Sequence, residues 1–143
     1  MSKIKIYRGS PTAGGTDGTE VSSGTQTNPI ESGAIKVPEE GHQEGSWVKL
    51  AVRCDSGFQT VEEESRHAQL SIEDSAGVDK WQLAPDNAGS PGTPSDWGAV
   101  LNLLSQIGAQ NVIFWARARV ASTEEASNDT SVSIKVAAVV GAV

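Results

Sequence analysis

The sequence predicts an all-β fold, an antiparallel two-sheet sandwich, on three observations. Two runs alternate apolar and polar residues: Val112, Phe114, Ala116, Ala118 and Val120 against Ile113, Trp115, Arg117 and Arg119, and Val132, Ile134, Val136 and Ala138 against Ser131, Ser133 and Lys135. Successive strand side chains point to opposite faces, so each run has one core face and one wetter face. Shorter runs of the same kind recur at roughly 8–12-residue intervals between turn formers, the spacing of a sandwich. Finally, 15 glycines, 37% hydrophobic and only 5% aromatic residues suit short strands with many turns. A chain of 143 residues fits a single core.

Taken in order, Lys3 to Arg8 reads as a short strand, an edge or an arm, with Ile4 and Ile6 on one face and Lys3, Lys5 and Tyr7 on the other. Gly9 to Asn28 is rich in Gly, Ser, Thr and Asp, with only Val21 to bury. Such a stretch cannot offset the entropy of ordering by burial, so alone it is expected to be mobile, and if it is ordered something else must hold it. The chain therefore divides into an N-terminal strand and Gly/Ser/Thr-rich arm, residues 1–32, and a sandwich, residues 33–143. Ile35 and Val37 run in phase until Pro38 stops them, and Glu39 to Gly45 is a charged turn. Ser46 to Cys54 is the clearest central strand, with Val48, Leu50, Val52 and Cys54 inward and Trp47, Lys49 and Arg53 outward.

Asp55-Ser56-Gly57 turns into a short strand or bulge over Phe58 to Val61, and Ala68, Leu70 and Ile72 mark the next strand. Trp81 and Leu83 are in phase over Lys80 to Leu83, while Pro85, Pro91, Pro94, Gly89 and Gly92 predict a surface loop over Ala84 to Ser95. Asp96 to Ile107 fits two patterns: Trp97, Val100, Leu101 and Leu104 have helical spacing, and Trp97, Ala99, Leu101 and Leu103 have strand spacing. Propensity favours the helix, but a sandwich needs a strand ahead of Asn111, and a strand is expected. The two alternating runs within Asn111 to Val140 are expected to pair as a hairpin at a sheet edge, since Ser122, Thr123, Ser127, Asn128 and Asp129 between them are turn formers.

Composition narrows the function classes. The formal charge of −7 and pI near 4.7, with Lys and Arg dispersed along the chain, argue against nucleic-acid binding. No apolar run approaches the roughly 18 residues of a membrane-spanning helix. Met1 to Ile6 alternates rather than forming an apolar core, so no signal peptide is expected and the chain is expected to be made in the cytoplasm. Cys54 is the only cysteine and lies in phase with Val48, Leu50 and Val52, which marks a buried small hydrophobe rather than a nucleophile. His42 and His67 are isolated, Asp17, Asp55, Asp74 and Asp86 show no calcium-loop spacing, and Gly9 to Gly15 lacks the Lys-Ser/Thr ending of a phosphate loop. Glu62-Glu63-Glu64 and Glu124-Glu125 read as solvated faces. No metal, no cofactor and no enzymatic activity are expected, because no nucleophile, base and orienting group stand together.

Leu101-Asn102-Leu103, Ile107-Gly108 and Phe114-Trp115-Ala116-Arg117-Ala118-Arg119-Val120 resemble the E strand, corner and F strand of fibronectin type III modules, with Thr130 to Val140 in the place of the G strand. The resemblance covers about thirty residues and implies an immunoglobulin-like sandwich; Phe114 stands where that family has a tyrosine, so the corner hydrogen bond of the hydroxyl cannot form. The short leading strand, the long Gly-Thr-Asp segment and Asp129-Thr130-Ser131-Val132 also resemble small bacteriophage virion proteins built on such sandwiches. That resemblance implies a head, tail or fibre component working through subunit contacts.

Candidate contact residues are Trp47 and Trp115, on outward strand positions where the core needs no ring, with Ile113, Arg117 and Tyr7 on outward positions beside them. A plainer role for Trp115 is a cation–π pair with Arg117. In a fibronectin-like sandwich the strands of Trp47 and Trp115 lie in different sheets, which rules out one aromatic platform using both. Trp81 and Trp97 are expected to cover the ends of the core. The expected function is a structural or assembly protein that self-associates as a homo-oligomer or docks on other virion subunits. The alternative is a carbohydrate-binding module, with a Trp and loop carboxylates as its platform.

Overall fold

The computed structural model describes residues 3–21, 39–73, 80–121 and 133–143. Within them the regular elements are all strands: β1 (Ile4–Arg8), β2 (Thr19–Glu20), β3 (His42–Glu44), β4 (Val48–Cys54), β5 (Phe58–Val61), β6 (Ala68–Glu73), β7 (Trp81–Asn87), β8 (Ser90–Pro91), β9 (Leu101–Leu103), β10 (Val112–Ala121), β11 (Ser133–Ala137) and β12 (Val139–Ala142). All pairings are antiparallel. One large sheet has the order β2-β1-β4-β10-β7-β8, with β3 on the far end of β10; a smaller one has the order β11-β6-β9; β5 and β12 form a ribbon.

The ten residues of β10 are the spine of the large sheet, because their alternation is sustained long enough to pair with β4 on one side and β7 on the other. Phe114 stands opposite Leu50 and Pro85, and the inward side chains of β10 meet those of β1, β4 and β7 in one hydrophobic cluster. Ala68, Leu70, Ile72, Leu101, Leu103 and Ile134 of the smaller sheet join that cluster. Its most deeply enclosed members include Phe114, Leu50, Leu70 and Leu83. Cys54 and Trp81 are buried there, as their phase predicts.

Four expectations are corrected by the pairing. The runs around β10 and β11 do not form a hairpin: β11 pairs with β6 in the other sheet, and β10 is interior rather than an edge. The connection expected over Ser122 to Asp129 lies outside the described residues, as does the Ile35–Val37 run. Alternation selects which side chains face the core, but it does not select the neighbouring strand, and both sides of β10 are already taken. The loop expected from Ala84 is strand as far as Asn87, including Pro85. A strand residue aims its N and its carbonyl to the same side; the Pro85 carbonyl accepts from Gly92 N at 2.7 Å, so the missing N–H faces the sheet margin and costs the β10 ladder nothing. Over Asp96 to Ile107 the strand reading holds for Leu101–Leu103, with no helical turn in the segment.

The fourth correction concerns the arm. β1 belongs to the large sheet through Ile4–Tyr7 against Cys54–Ala51, so Ile4 and Ile6 share the core of the residues expected to form a separate domain; the boundary at 32 itself lies outside the described residues. Gly9 to Val21 is tied down by this chain. Asn111, at 4% exposure, bonds Gly14 N through its carbonyl at 3.0 Å and donates its own N–H to Gly15 O at 2.8 Å. Its side-chain amide donates to Thr12 O, Asp17 O and Asp17 Oδ1 at 3.1, 3.1 and 3.0 Å. The Thr12 N–H and hydroxyl both donate to the Asp17 carboxylate, at 2.9 and 3.0 Å, and hold its pKa below the ordinary carboxylate value.

A depressed carboxylate stabilises the folded loop above the ordinary carboxylate range and loses that contribution as pH falls through the folded value. Acidification below that range is therefore expected to release the Thr12–Asp17 loop. The amide resonances of Gly14 and Asn111 should move toward random-coil positions while those of Leu50 and Phe114 stay. An Asp17→Asn variant with an unchanged acid response would remove Asp17 as the cause.

Candidate functional site: the outer face of the large sheet

The outward positions of the large sheet lie in cross-strand rows. Tyr7, Ala51 and Ile113 make one row, Lys49, Trp115 and Ala84 the next, and Arg117 with Gln82 the one after, which Trp47 extends just ahead of β4. Arg117 is the centre of the last row. Its guanidinium lies 4.5 Å from the Trp47 ring and 5.2 Å from the Trp97 ring, its Nε donates to Gln82 Oε1 at 2.8 Å, and its Nη2 pairs with Glu44 Oε2 at 2.7 Å. Arg119 stacks on Trp97 at 4.4 Å.

Trp97 reaches this face because the segment after β8 follows the margin of β7. Gly92, Ser95 and Gly98 donate their N–H groups to Pro85, Leu83 and Trp81 carbonyls at 2.7, 2.9 and 2.8 Å, and Gln82 Nε2 ties the segment down through Ser95 O at 2.8 Å. A chain bonded to every second residue of β7 runs beside it as an irregular margin strand, and Trp97 leans from it over the two arginines. In the next row the Trp115 indole donates to Asp86 Oδ1 at 2.9 Å. At the opposite end Arg53 stacks on the Tyr7 ring at 3.5 Å and donates to Asp17 O and Asn111 Oδ1, so the arm crosses the face there.

All five residues expected to make contacts, Trp47, Trp115, Ile113, Arg117 and Tyr7, fall on this one face. Two expectations about them are corrected. Trp47 and Trp115 belong to neighbouring strands of one sheet, diagonal to each other, where side chains are within reach of a shared ligand. Ile113 and Tyr7 are only 5% and 8% exposed, so the accessible part of the face is Trp47, Lys49, Trp115 and Arg117, each half-buried. The aromatic partners of Arg117 are Trp47 and Trp97 rather than Trp115. Trp97, expected at the end of the core, is the residue that sequence reasoning missed; its position depends on the margin strand, and its spacing, which suits helix and strand alike, does not reveal it.

The face also gathers cations that are scattered along the chain: Lys5, Lys49, Arg53, Arg117 and Arg119 all point outward from it. Lys5 pairs with Asp55 at 3.2 Å and Glu20 at 3.8 Å. With Arg53 and Arg117 bonded as described, this is a laced aromatic surface and not a bare cationic stripe. Elsewhere, burial pushes the Cys54 thiol pKa up, which keeps it protonated. His67 Nδ1 shares a hydrogen bond at 3.0 Å with the hydroxyl of fully buried Thr60, which also accepts from Ile107 N at 2.8 Å. Among the described residues no three His, Cys, Asp or Glu side chains converge as metal ligands.

Comparison with protein-family models, curated proteins and solved structures finds no match to this chain. The functional reading rests on the face itself. The face carries two flat indoles, a guanidinium fixed between Trp47 and Trp97, and the Lys49 ammonium, which has no ion pair among the described residues.

Proposed function

We propose that this chain is a non-enzymatic structural or assembly protein that engages copies of itself or other subunits through the outer face of the large sheet. The observation that carries the proposal is Arg117 held between Trp47 and Trp97 and locked by Gln82 and Glu44. Trp and Arg dominate interface hot spots, and side chains already fixed in one arrangement lose little further entropy when a partner covers them. The wider proposal, a phage or prophage virion component with an immunoglobulin-like or fibronectin-like sandwich, is supported by the resemblances in sequence and by a single hydrophobic cluster drawing on both sheets.

Replacing Trp47 with Ala should raise the concentration needed for assembly by about 30-fold, the equivalent of a 2 kcal/mol hot spot, while leaving the thermal transition close to that of the parent chain. Light scattering over a dilution series measures it. Assembly that is indifferent to the substitution would count against this face.

A second reading, a carbohydrate-binding module, is favoured by one observation: the diagonal placing of Trp47 and Trp115 beside the Asp86 carboxylate. Indoles stack on the apolar faces of sugar rings, and carboxylates accept from their hydroxyls. Titration of tryptophan fluorescence with neutral and acidic oligosaccharides tests it, and a flat response to all of them removes it.

A further inference from the structure

We infer that Lys49 is the socket for a carboxylate of a second copy of this chain, presented by its Glu62-Glu63-Glu64 turn; the inference rests on the outer face being the contact surface. Lys49 stands directly opposite Trp115 and two residues from Trp47, in the middle of the accessible face. Among the described residues it makes no hydrogen bond, ion pair or ring contact, whereas Lys5, Arg53, Arg117 and Arg119 on the same face are all engaged. Lys49 is half-buried at a strand position flanked by Trp47 and Trp115, and its positive charge has no counter-charge among the described residues; a carboxylate brought by a partner supplies one.

The chain carries a matching projection. Glu63 and Arg66 exchange backbone hydrogen bonds at 2.8 and 3.1 Å, and Glu64 and Ser65 between them have φ of 53° and 63°, so the turn is a tight, closed tip. Glu64 pairs with Arg66 at 3.3 Å, while Glu62 and Glu63, both exposed, have no ion pair among the described residues. Beside them Val61, 48% exposed, stands opposite Val139, 47% exposed, on the β5–β12 ribbon. The tip thus presents carboxylates without an ion pair next to an apolar pair, and the face presents a lysine without a counter-charge on the strand positions beside Trp47 and Trp115. Charge and apolar character are complementary at both points. Tip and face are different surfaces of one chain, so the contact is head-to-tail and propagates as a ring or an open row.

Charge exchange tests the pairing. Lys49→Glu alone, and Glu62→Lys with Glu63→Lys together, should each weaken self-association by at least about 10-fold in light scattering. An equimolar mixture of the two variants should recover the parent's association as alternating copies, because each socket then meets a tip of opposite sign. Association of either variant at the parent's strength, or a mixture that stays dissociated, overturns the inference. If Trp47→Ala disrupts assembly while Lys49→Glu does not, the face stands and this occupant falls; if neither does, both fall. A parent chain that remains monomeric up to about 1 mM overturns the second copy as occupant, and quenching of its tryptophan fluorescence by uronic-acid oligosaccharides would assign the socket to a glycan.

Discussion

Replacing Phe114 with Ala is expected to destabilise the chain by about 3–5 kcal/mol, the range for an aromatic ring removed from a closed core. Phe114 is fully buried at the middle of β10, opposite Leu50 on one side and Pro85 on the other, and its ring belongs to the cluster that both sheets share. A backbone paired on both sides cannot collapse into the space the ring vacates, so the cavity persists and the loss falls at the upper end. Single domains are typically stable by about 5–15 kcal/mol, which makes this a large fraction of the total. Denaturant titration should show a lower midpoint with an unchanged slope. A loss under about 1 kcal/mol would mean that the core is not organised around β10.

The second large effect belongs to Asn111. Its amide nitrogen spreads its two hydrogens over three oxygens, Thr12 O, Asp17 O and Asp17 Oδ1, while its own oxygen accepts from Arg53 Nη1 at 2.7 Å. Asn111→Ala removes several part-buried hydrogen bonds at once, including the one accepted from Arg53 Nη1, and should cost about 1–3 kcal/mol. The isosteric Asn111→Asp is expected to be at least as harmful, since a carboxylate has no hydrogen to offer and would face both Asp17 and two carbonyl oxygens. Both variants should free the Gly9–Val21 segment, which limited trypsin digestion after Arg8 reports as accelerated cleavage. Cleavage as slow as in the parent chain would show that the backbone bonds to Gly14 and Gly15 hold the segment without the side chain.

The same residue is the outside support that the arm needs in order to be ordered. Gly9 to Val21 has too little apolar surface to order itself, and that reasoning is sound for an isolated segment. What orders it is polar: Asn111 lies 94 positions from Asp17, and no local pattern connects them. Trp97 was misread for a related reason. Its spacing suits a helix or a strand equally, and its actual place is set by three hydrogen bonds from Gly92, Ser95 and Gly98 to β7.

The longer strands and their faces were legible in the sequence alone, whereas β3 lies where a charged turn is expected and β7 runs to Asn87 through an expected loop. Period-two alternation is local, so Val48 to Cys54, Ala68 to Ile72 and Val112 to Val120 announce both where a strand runs and which side chains turn inward. That is why Trp47, Trp115 and Arg117 were legible as outward residues before any pairing was known. Which strands are neighbours was decided only by the tertiary structure. A strand's pattern distinguishes inside from outside but carries no address for its partner, and β11, with the right alternation for β10, pairs with β6 instead. The placing of Trp47 and Trp115 on one face, the capture of the arm and the aromatic stack around Arg117 all depend on that choice of neighbours, because each joins residues that only the sheet order brings together.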